Sequence, residues 1–442
     1  MTSYWCTLAW LGGPRPEAGV VIDVEAGRIA AVSREQAPPR HARRLYGLTL
    51  PGLANAHSHA FQRALRGRTQ HGSGSFWTWR DQMYAVAERL DPENYLALAR
   101  ATYAEMALAG ITTVGEFHYV HHGPGGTPYD DPNEMGRALI AAANDAGIRL
   151  TLIDCCYLHG GIGAPPEKAQ RRFSDDSPEA WVSRVDELAE DESVRIGAAI
   201  HSMRAVDPDA AAIVAGWAAE RERPLHAHVS EQRAENEACL AAYGRTPTAL
   251  LADAGALAAN FTAVHATHLV DADVDLLGGA GACCCVCPTT ERDLADGIGR
   301  MRRLSDAGAS LSLGSDSHAV IDLFEEARAV ELDERLASGE RGHHGTAALL
   351  RAASQDGHPC LGWPDAGRIE PGARADLVTV WLAGVQLAGT SPELALDAVV
   401  FAGSARDVRH VLVDGHEVVV DGRHTSIDVA GELHDAALRV TT

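Results

Sequence analysis

The sequence predicts an α/β protein: a (β/α)8 TIM-like barrel with a small β-sandwich domain formed from both chain ends. Three observations lead there. Short apolar runs alternate with helical stretches through the middle of the chain, the pattern of βαβ units and a parallel sheet. Eight such runs follow one another in order, the number that closes a barrel. Strand-and-turn patterns of another kind are confined to the two ends.

At the N-terminal end, residues 1 to 50 alternate β-type runs with turns. Val20-Val21-Ile22-Asp23-Val24 leads to Gly27 and then to Ile29-Ala30-Ala31-Val32, which reads as a hairpin. A matching pattern returns at 375 to 380 and at 411 to 420. Segments 1–50 and 369–442 are therefore expected to pair into one discontinuous β-sandwich domain, leaving 51–368 for the barrel. The eight expected barrel strands are 50–57, 111–116, 149–155, 195–201, 224–228, 261–265, 282–287 and 311–316. One intervening helix can be read in detail. Asp91 can cap it and Pro92 suits its first position. Leu96, Ala99, Tyr103 and Met106 recur at helical spacing, and Gly110 can stop it.

Composition limits the function classes. With 442 residues, 46% hydrophobic and 22% charged, the chain is an ordinary globular protein with enough material for one large domain and a satellite. A formal charge of −22 argues against nucleic acid or anionic membrane as partner, since both demand basic surface. A small molecule is the expected ligand, and a homodimer the expected assembly. Nine cysteines, four of them crowded at 283, 284, 285 and 287, do not make the spaced framework of a secreted disulfide protein. No basic start with an apolar stretch opens the chain and no apolar run reaches membrane-spanning length, so a cytoplasmic location is expected.

His57-Ser58-His59 closes the first expected strand, and residues two apart on a strand face the same side, so both imidazoles can reach one ion. His228 ends the fifth strand, His265 the sixth and Asp316 the eighth. All fall at the C-terminal face, where barrel enzymes keep their chemistry. Nitrogen donors with a carboxylate suit Zn2+, and iron or manganese accept the same set.

These residues resemble the amidohydrolase superfamily over essentially the whole chain. The similarity is carried by P-G-L-A-N-A-H-S-H at 51–59, H-A-H-V-S-E at 226–231, H-A-T-H at 265–268, G-S-D-S-H at 314–318 and P-G-A-R-A-D-L-V at 371–378. The resemblance implies that His57, His59, His228 and Asp316 hold a divalent ion, with zinc expected. It places His265 beside the attacking water and gives Glu231 the handling of protons. Many members bridge two metals with a carboxylated lysine on the fourth strand. Here that strand ends Ala198-Ala199-Ile200-His201, and the only lysine, Lys168, lies in a Pro-rich loop, so a single ion is expected.

Further matches, H-A-F-Q-R at 59–63, F-W-T-W-R at 76–80, E-F-H-Y at 116–119, H-S-M-R at 201–204 and C-P-T-T-E at 287–291, are similar to the members that deiminate a linear amidine. They imply hydrolysis of N-formimino-L-glutamate to N-formyl-L-glutamate and ammonia in histidine degradation. Such a dicarboxylate needs cationic and hydrogen-bonding partners, which Gln62, Arg80, Tyr119, His201 and Arg204 supply. The chemistry implied is attack by activated water on the formimino carbon. Asp316 takes the proton, His265 stabilises the developing centre and Glu231 helps protonate the leaving ammonia.

Two alternatives stay open. A guanine-like aminoazine deaminase would need a stacking slot; no comparable aromatic cluster is read, although Phe76, Trp77 and Trp79 keep it in play. A non-catalytic barrel is opposed by the intact ligand set and Glu231. His118, His121 and His122 read as a loop feature rather than a second metal site. The cysteine run reads as filler of a buried strand, because adjacent residues face opposite sides.

Overall fold

In the computed structural model, which describes residues 1–70, 74 and 76–442, two eight-stranded sheets organise the chain. The strands are β1 (Thr2–Ala9), β2 (Glu17–Glu25), β3 (Arg28–Arg34), β4 (Arg43–Pro51), β5 (Leu53–Ser58), β6 (Ile111–His118), β7 (Arg149–Cys156) and β8 (Val194–Ile200). They continue with β9 (Leu225–Val229), β10 (Phe261–His265), β11 (Cys283–Val286), β12 (Ser310–Leu313), β13 (Leu377–Val380), β14 (Val408–Val413), β15 (His416–Val420) and β16 (Arg423–His424).

Strands β5 to β12 pair in chain order, every neighbour parallel. A bridge between Ser58 and Asp316 joins the first strand to the segment after the last, so the chain forms a (β/α)8 barrel. Barrel strands are covered on both faces, and every residue of β6 and β7 is buried, including the polar Glu116, His118, Arg149 and Asp154. The helix Pro92–Leu108 forms for the reasons its sequence gives. Asp91 accepts the amide of Asn94 at 2.8 Å, Asn94 answers at the amide of Asp91 at 3.0 Å, and Tyr95, Leu98, Ala99, Tyr103 and Met106 face the barrel. Gly110, at φ +89, then turns the chain into β6.

The second sheet runs β16-β15-β14-β13-β4-β1-β2-β3. Its two halves meet where β13 lies antiparallel to β4, with Leu377 opposite Pro51 and Val380 opposite Leu48. The chain ends thus share one sheet, which wraps an apolar core of its own around Tyr4, Cys6, Ile22, Leu45, Leu377 and Leu412.

The start of the first barrel strand and the end of the eighth, which stops at Leu313 rather than Asp316, differ from expectation. Leu50 does not open the barrel; it pairs with Val378 in the end sheet, and the barrel begins at Leu53. The chain passes between the sheets at Gly52, where a β-carbon would stand 2.3 Å from the Thr112 hydroxyl and 2.7 Å from Asp376. Leu48, Leu50, Leu53, Ala54 and Ala56 fall on both sides of Gly52, and that spread of apolar residues hides the switch. Asp376 also explains the R-A-D motif: its carboxylate accepts both terminal nitrogens of the buried Arg149 at the start of β7, Nη1 at 3.1 Å, tying the end sheet to the barrel floor. Among the described residues, no helix is long and apolar enough to cross a membrane.

Candidate active site

The C-terminal rim of the barrel gathers the expected residues. His57 lies on β5 and His59 just beyond it, His228 is on β9 and His265 ends β10. Asp316 lies three residues past β12, in a left-handed turn at φ +43, rather than on the strand. That turn is pinned from both sides. The amide of Asp316 donates to the carbonyl of His57 at 3.0 Å, and the amide of His59 donates to the carbonyl of Asp316 at 3.2 Å. Gly314 permits the approach, since a β-carbon there would come within 2.8 Å of both the Cys287 sulfur and the His57 side chain. Behind it the Ser58 hydroxyl donates to Glu116 at 2.6 Å and lies 3.2 Å from His318.

Nε2 of His57 and Nε2 of His59 lie 3.3 and 3.5 Å from Oδ1 of Asp316, and Nε2 of His228 lies 3.2 Å from that of His57. Nδ1 of His59 donates to the carbonyl of Phe117, and Nδ1 of His228 to the carbonyl of His201, each at 2.9 Å. A carbonyl can only accept, so both tautomers are set with the Nε2 lone pair facing inward. Burial pushes His57 and His228 below the ordinary histidine value and His59 down to about 3, which keeps the rings neutral. Asp316 is held well below the usual carboxylate range: burial opposes this and is outweighed by His57, His265 and His59. Inward-facing imidazole lone pairs with an ionised carboxylate are the donor set of a divalent cation, and these residues fit one.

His265 stands beside this set, its Nε2 3.9 Å from both Asp316 Oδ2 and Glu231 Oε1. Burial would lower its pKa, yet Glu231, Glu291 and Asp316 raise it well above the ordinary value. Burial raises Glu231, whose Oε2 is 3.7 Å from Arg204. Ser230, His265 and Ala266 all adopt positive φ, backbone conformations that non-glycine residues hold only when the surrounding structure imposes them.

Beyond the donors opens a cavity of about 230 Å3 lined by all five expected substrate contacts, Gln62, Arg80, Tyr119, His201 and Arg204. Gln62 donates to the Tyr119 hydroxyl at 3.1 Å and keeps its own carbonyl oxygen without a partner. The Arg80 guanidinium lies 4.7 Å above the Trp77 ring, and Arg204 lies 5.7 Å from Phe76. Nε is unpartnered in both arginines. Lys168 is exposed at the start of the short turn Ala169–Phe173, away from these residues.

The structure corrects the expectation that aromatics do not cluster. Phe76, Trp77, Trp79, Tyr84, Tyr119, Tyr157 and Phe173 line the same cavity, gathered from segments up to about a hundred residues apart. Sequence reasoning also left Glu291 without a role. Its carboxylate lies 3.3 Å from Nδ1 of His265 and accepts the amide of Cys287 at 2.9 Å; the signal was its place at the end of C-P-T-T-E, in the first turn after β11. In the cysteine run, alternate members Cys283, Cys285 and Cys287 share one apolar cluster inside the barrel with Cys360 and Trp363, while Cys284 packs in the main core outside it. The run thus conceals a C-x-C-x-C spacing, and all nine cysteines are buried and free.

A parallel eight-stranded barrel with this donor set on its C-terminal rim defines the class of barrel hydrolases. The chain matches the Amidohydrolase family over residues 48–418 and belongs to that family. It is 38% identical to the formimidoylglutamate deiminase of Pseudomonas aeruginosa over 94% of this chain and 96% of that one. It is 29% identical to a 5-methylthioadenosine/S-adenosylhomocysteine deaminase of Natronomonas pharaonis, covering 95% and 92%. An amidohydrolase structure from Brucella melitensis superposes on all of both chains with a TM-score of 0.92 at 33% identity.

Proposed function

We propose that the chain hydrolyses N-formimino-L-glutamate to N-formyl-L-glutamate and ammonia, with one zinc ion held by His57, His59, His228 and Asp316. The observation that carries this is the pair of guanidinium groups, Arg80 and Arg204, in one cavity that ends on the donor set. Two cations and a hydrolytic centre in one cavity suit a substrate with two carboxylates and a reactive carbon. The extensive match to the Pseudomonas aeruginosa enzyme supports the same assignment.

When bound, the ion supplies the acidity that makes water a nucleophile near neutral pH. Asp316, ionised and beside the donors, accepts the water's proton. His265 donates from Nε2 to the charge developing at the attacked carbon. Glu231 passes one proton to the imino nitrogen and Asp316 returns the one it took from water, so that the nitrogen departs as ammonia while the adduct's hydroxyl gives its proton back to Glu231. Gln62 and Tyr119 fix the formimino end, while Arg80, Arg204 and His201 hold the carboxylates, so binding remote from the reacting carbon sets its orientation.

One observation favours a second reading. The aromatic wall offers the stacking surface that an aminoazine base, guanine-like in character, would use. A coupled assay for ammonia release, run with formiminoglutamate and guanine side by side, separates the two. Turnover of formiminoglutamate is expected, and turnover of the base alone would sink the assignment.

A further inference from the structure

A second cluster of donors lies on the other side of the barrel wall. His118 ends β6 and stands in register with Asp154 on β7; His121 follows three residues later. One nitrogen from each imidazole and one oxygen of Asp154 lie within 4.8 Å of one another, all buried. Phe117 turns its ring towards His57, 5.2 Å away, so its neighbour His118 faces outward to the helices. We propose that His118, His121 and Asp154 form a second divalent-cation site, structural in role, that takes Zn2+.

Three observations carry this. First, the His118 and His121 rings stand 4.8 Å apart at 89°, which repeats the His57–His59 pair at 4.7 Å and 86° and the His57–His228 pair at 4.9 Å and 89°. Second, both rings keep Nδ1 buried without a hydrogen-bond partner, an arrangement that costs roughly 1–3 kcal/mol for each unsatisfied group unless something else occupies it. Third, two buried carboxylates meet one guanidinium. Arg184 reaches Asp154 at 2.7 and 2.9 Å and Asp175 at 2.8 Å, while Trp181 donates to Asp154 at 2.9 Å and Nε2 of His122 lies 3.3 Å from Asp175. Burial keeps His118 and His121 neutral, so they offer lone pairs rather than charge.

A surface cleft lined by His122, Ser174, Asp175 and Arg184 reaches the neighbourhood and gives an ion a way in. Three protein ligands leave a fourth position for water. The ion would fix the segment between His118 and His121, which carries Tyr119 into the catalytic cavity on its opposite side.

Metal analysis of chelator-stripped, zinc-reloaded protein tests the site. Two equivalents per chain are expected in the unaltered protein, one in His57→Ala and one in His121→Asn. A single equivalent in the unaltered chain with none in His57→Ala overturns the proposal, as does retention of both ions in His121→Asn. Should the histidine variant fold poorly, anomalous diffraction at the zinc edge from crystals of the unaltered protein decides. A peak between His118, His121 and Asp154 supports the site, and a peak at His57 alone overturns it.

Discussion

Oε1 of Glu291 touches both Nδ1 of His265, at 3.3 Å, and the amide of Cys287, at 2.9 Å. The second contact fixes the carboxylate, and the first makes Nδ1 of His265 the donor and directs Nε2 at Asp316 and Glu231. Replacing Glu291 by alanine removes the one oxygen that accepts both contacts. Removing such an orienting partner typically costs about 10- to 100-fold in activity. Glu291→Ala is therefore expected to lower kcat in that range with KM little changed, read by steady-state ammonia release; an unchanged kcat would remove Glu291 from any positioning role.

Glu116 gives a pH prediction. Burial raises its pKa from the usual carboxylate value to about 8, although the Ser58 hydroxyl and the Ala60 amide work in the other direction. The native state therefore holds a proton across the interval from about 4.5 to about 8 that the unfolded state has lost. Stability from this group is complete below that interval and lost as pH rises through about 8. Glu116→Gln has no proton to lose, so its melting temperature should fall less than that of the unaltered, metal-stripped chain between pH 6.5 and 8. Parallel melting curves for the two proteins would contradict this.

The buried pair of Arg149 and Asp376 holds the end sheet against the floor of the barrel, with Asp414 adding a contact to Arg149 at 3.1 Å. Asp376→Ala leaves a guanidinium buried with little compensation, a change worth about 3–5 kcal/mol of stability. Urea unfolding of the zinc-loaded variant should show that loss, while kcat of the folded fraction stays near the parent value because the rim of the barrel lies at the opposite end of its strands. A change in kcat with unchanged stability would mean that the pair acts on the site instead.

The parts of this architecture that were legible in sequence are those written locally. Helix Pro92–Leu108 carries its own cap and stop, and His57 and His59 share a strand face by period alone. The order of strand-ending residues then orders the rim. What escaped depends on separation in the chain. Leu50 looks like barrel core because apolar Leu53 and Ala54 follow directly after Pro51-Gly52, and only the pairing with Val378 assigns it elsewhere. The aromatic wall is invisible because Phe76, Tyr119, Tyr157 and Phe173 come from different loops and strand ends. Glu291 stood inside a recognised motif, yet its role needs the position of His265, which sits 26 residues earlier on another strand.

Arg80 and Arg204 decide between the two substrate classes. Each lies near an aromatic ring, Arg80 over Trp77 and Arg204 beside Phe76, so its charge is presented to the cavity from a fixed plane. A charge-assisted hydrogen bond is worth about 1.5–3 kcal/mol, roughly 10- to 100-fold in an equilibrium constant. Arg80→Leu keeps much of the stacking surface and removes the charge, so KM for formiminoglutamate should rise by about that factor while kcat moves less. Lysine should restore only part of the loss, because its point charge cannot reproduce a planar fork held against indole. An aminoazine base carries no carboxylate for either arginine to hold. If Arg80→Leu left KM for formiminoglutamate unchanged, the cavity would be reading a flat ring rather than a dicarboxylate.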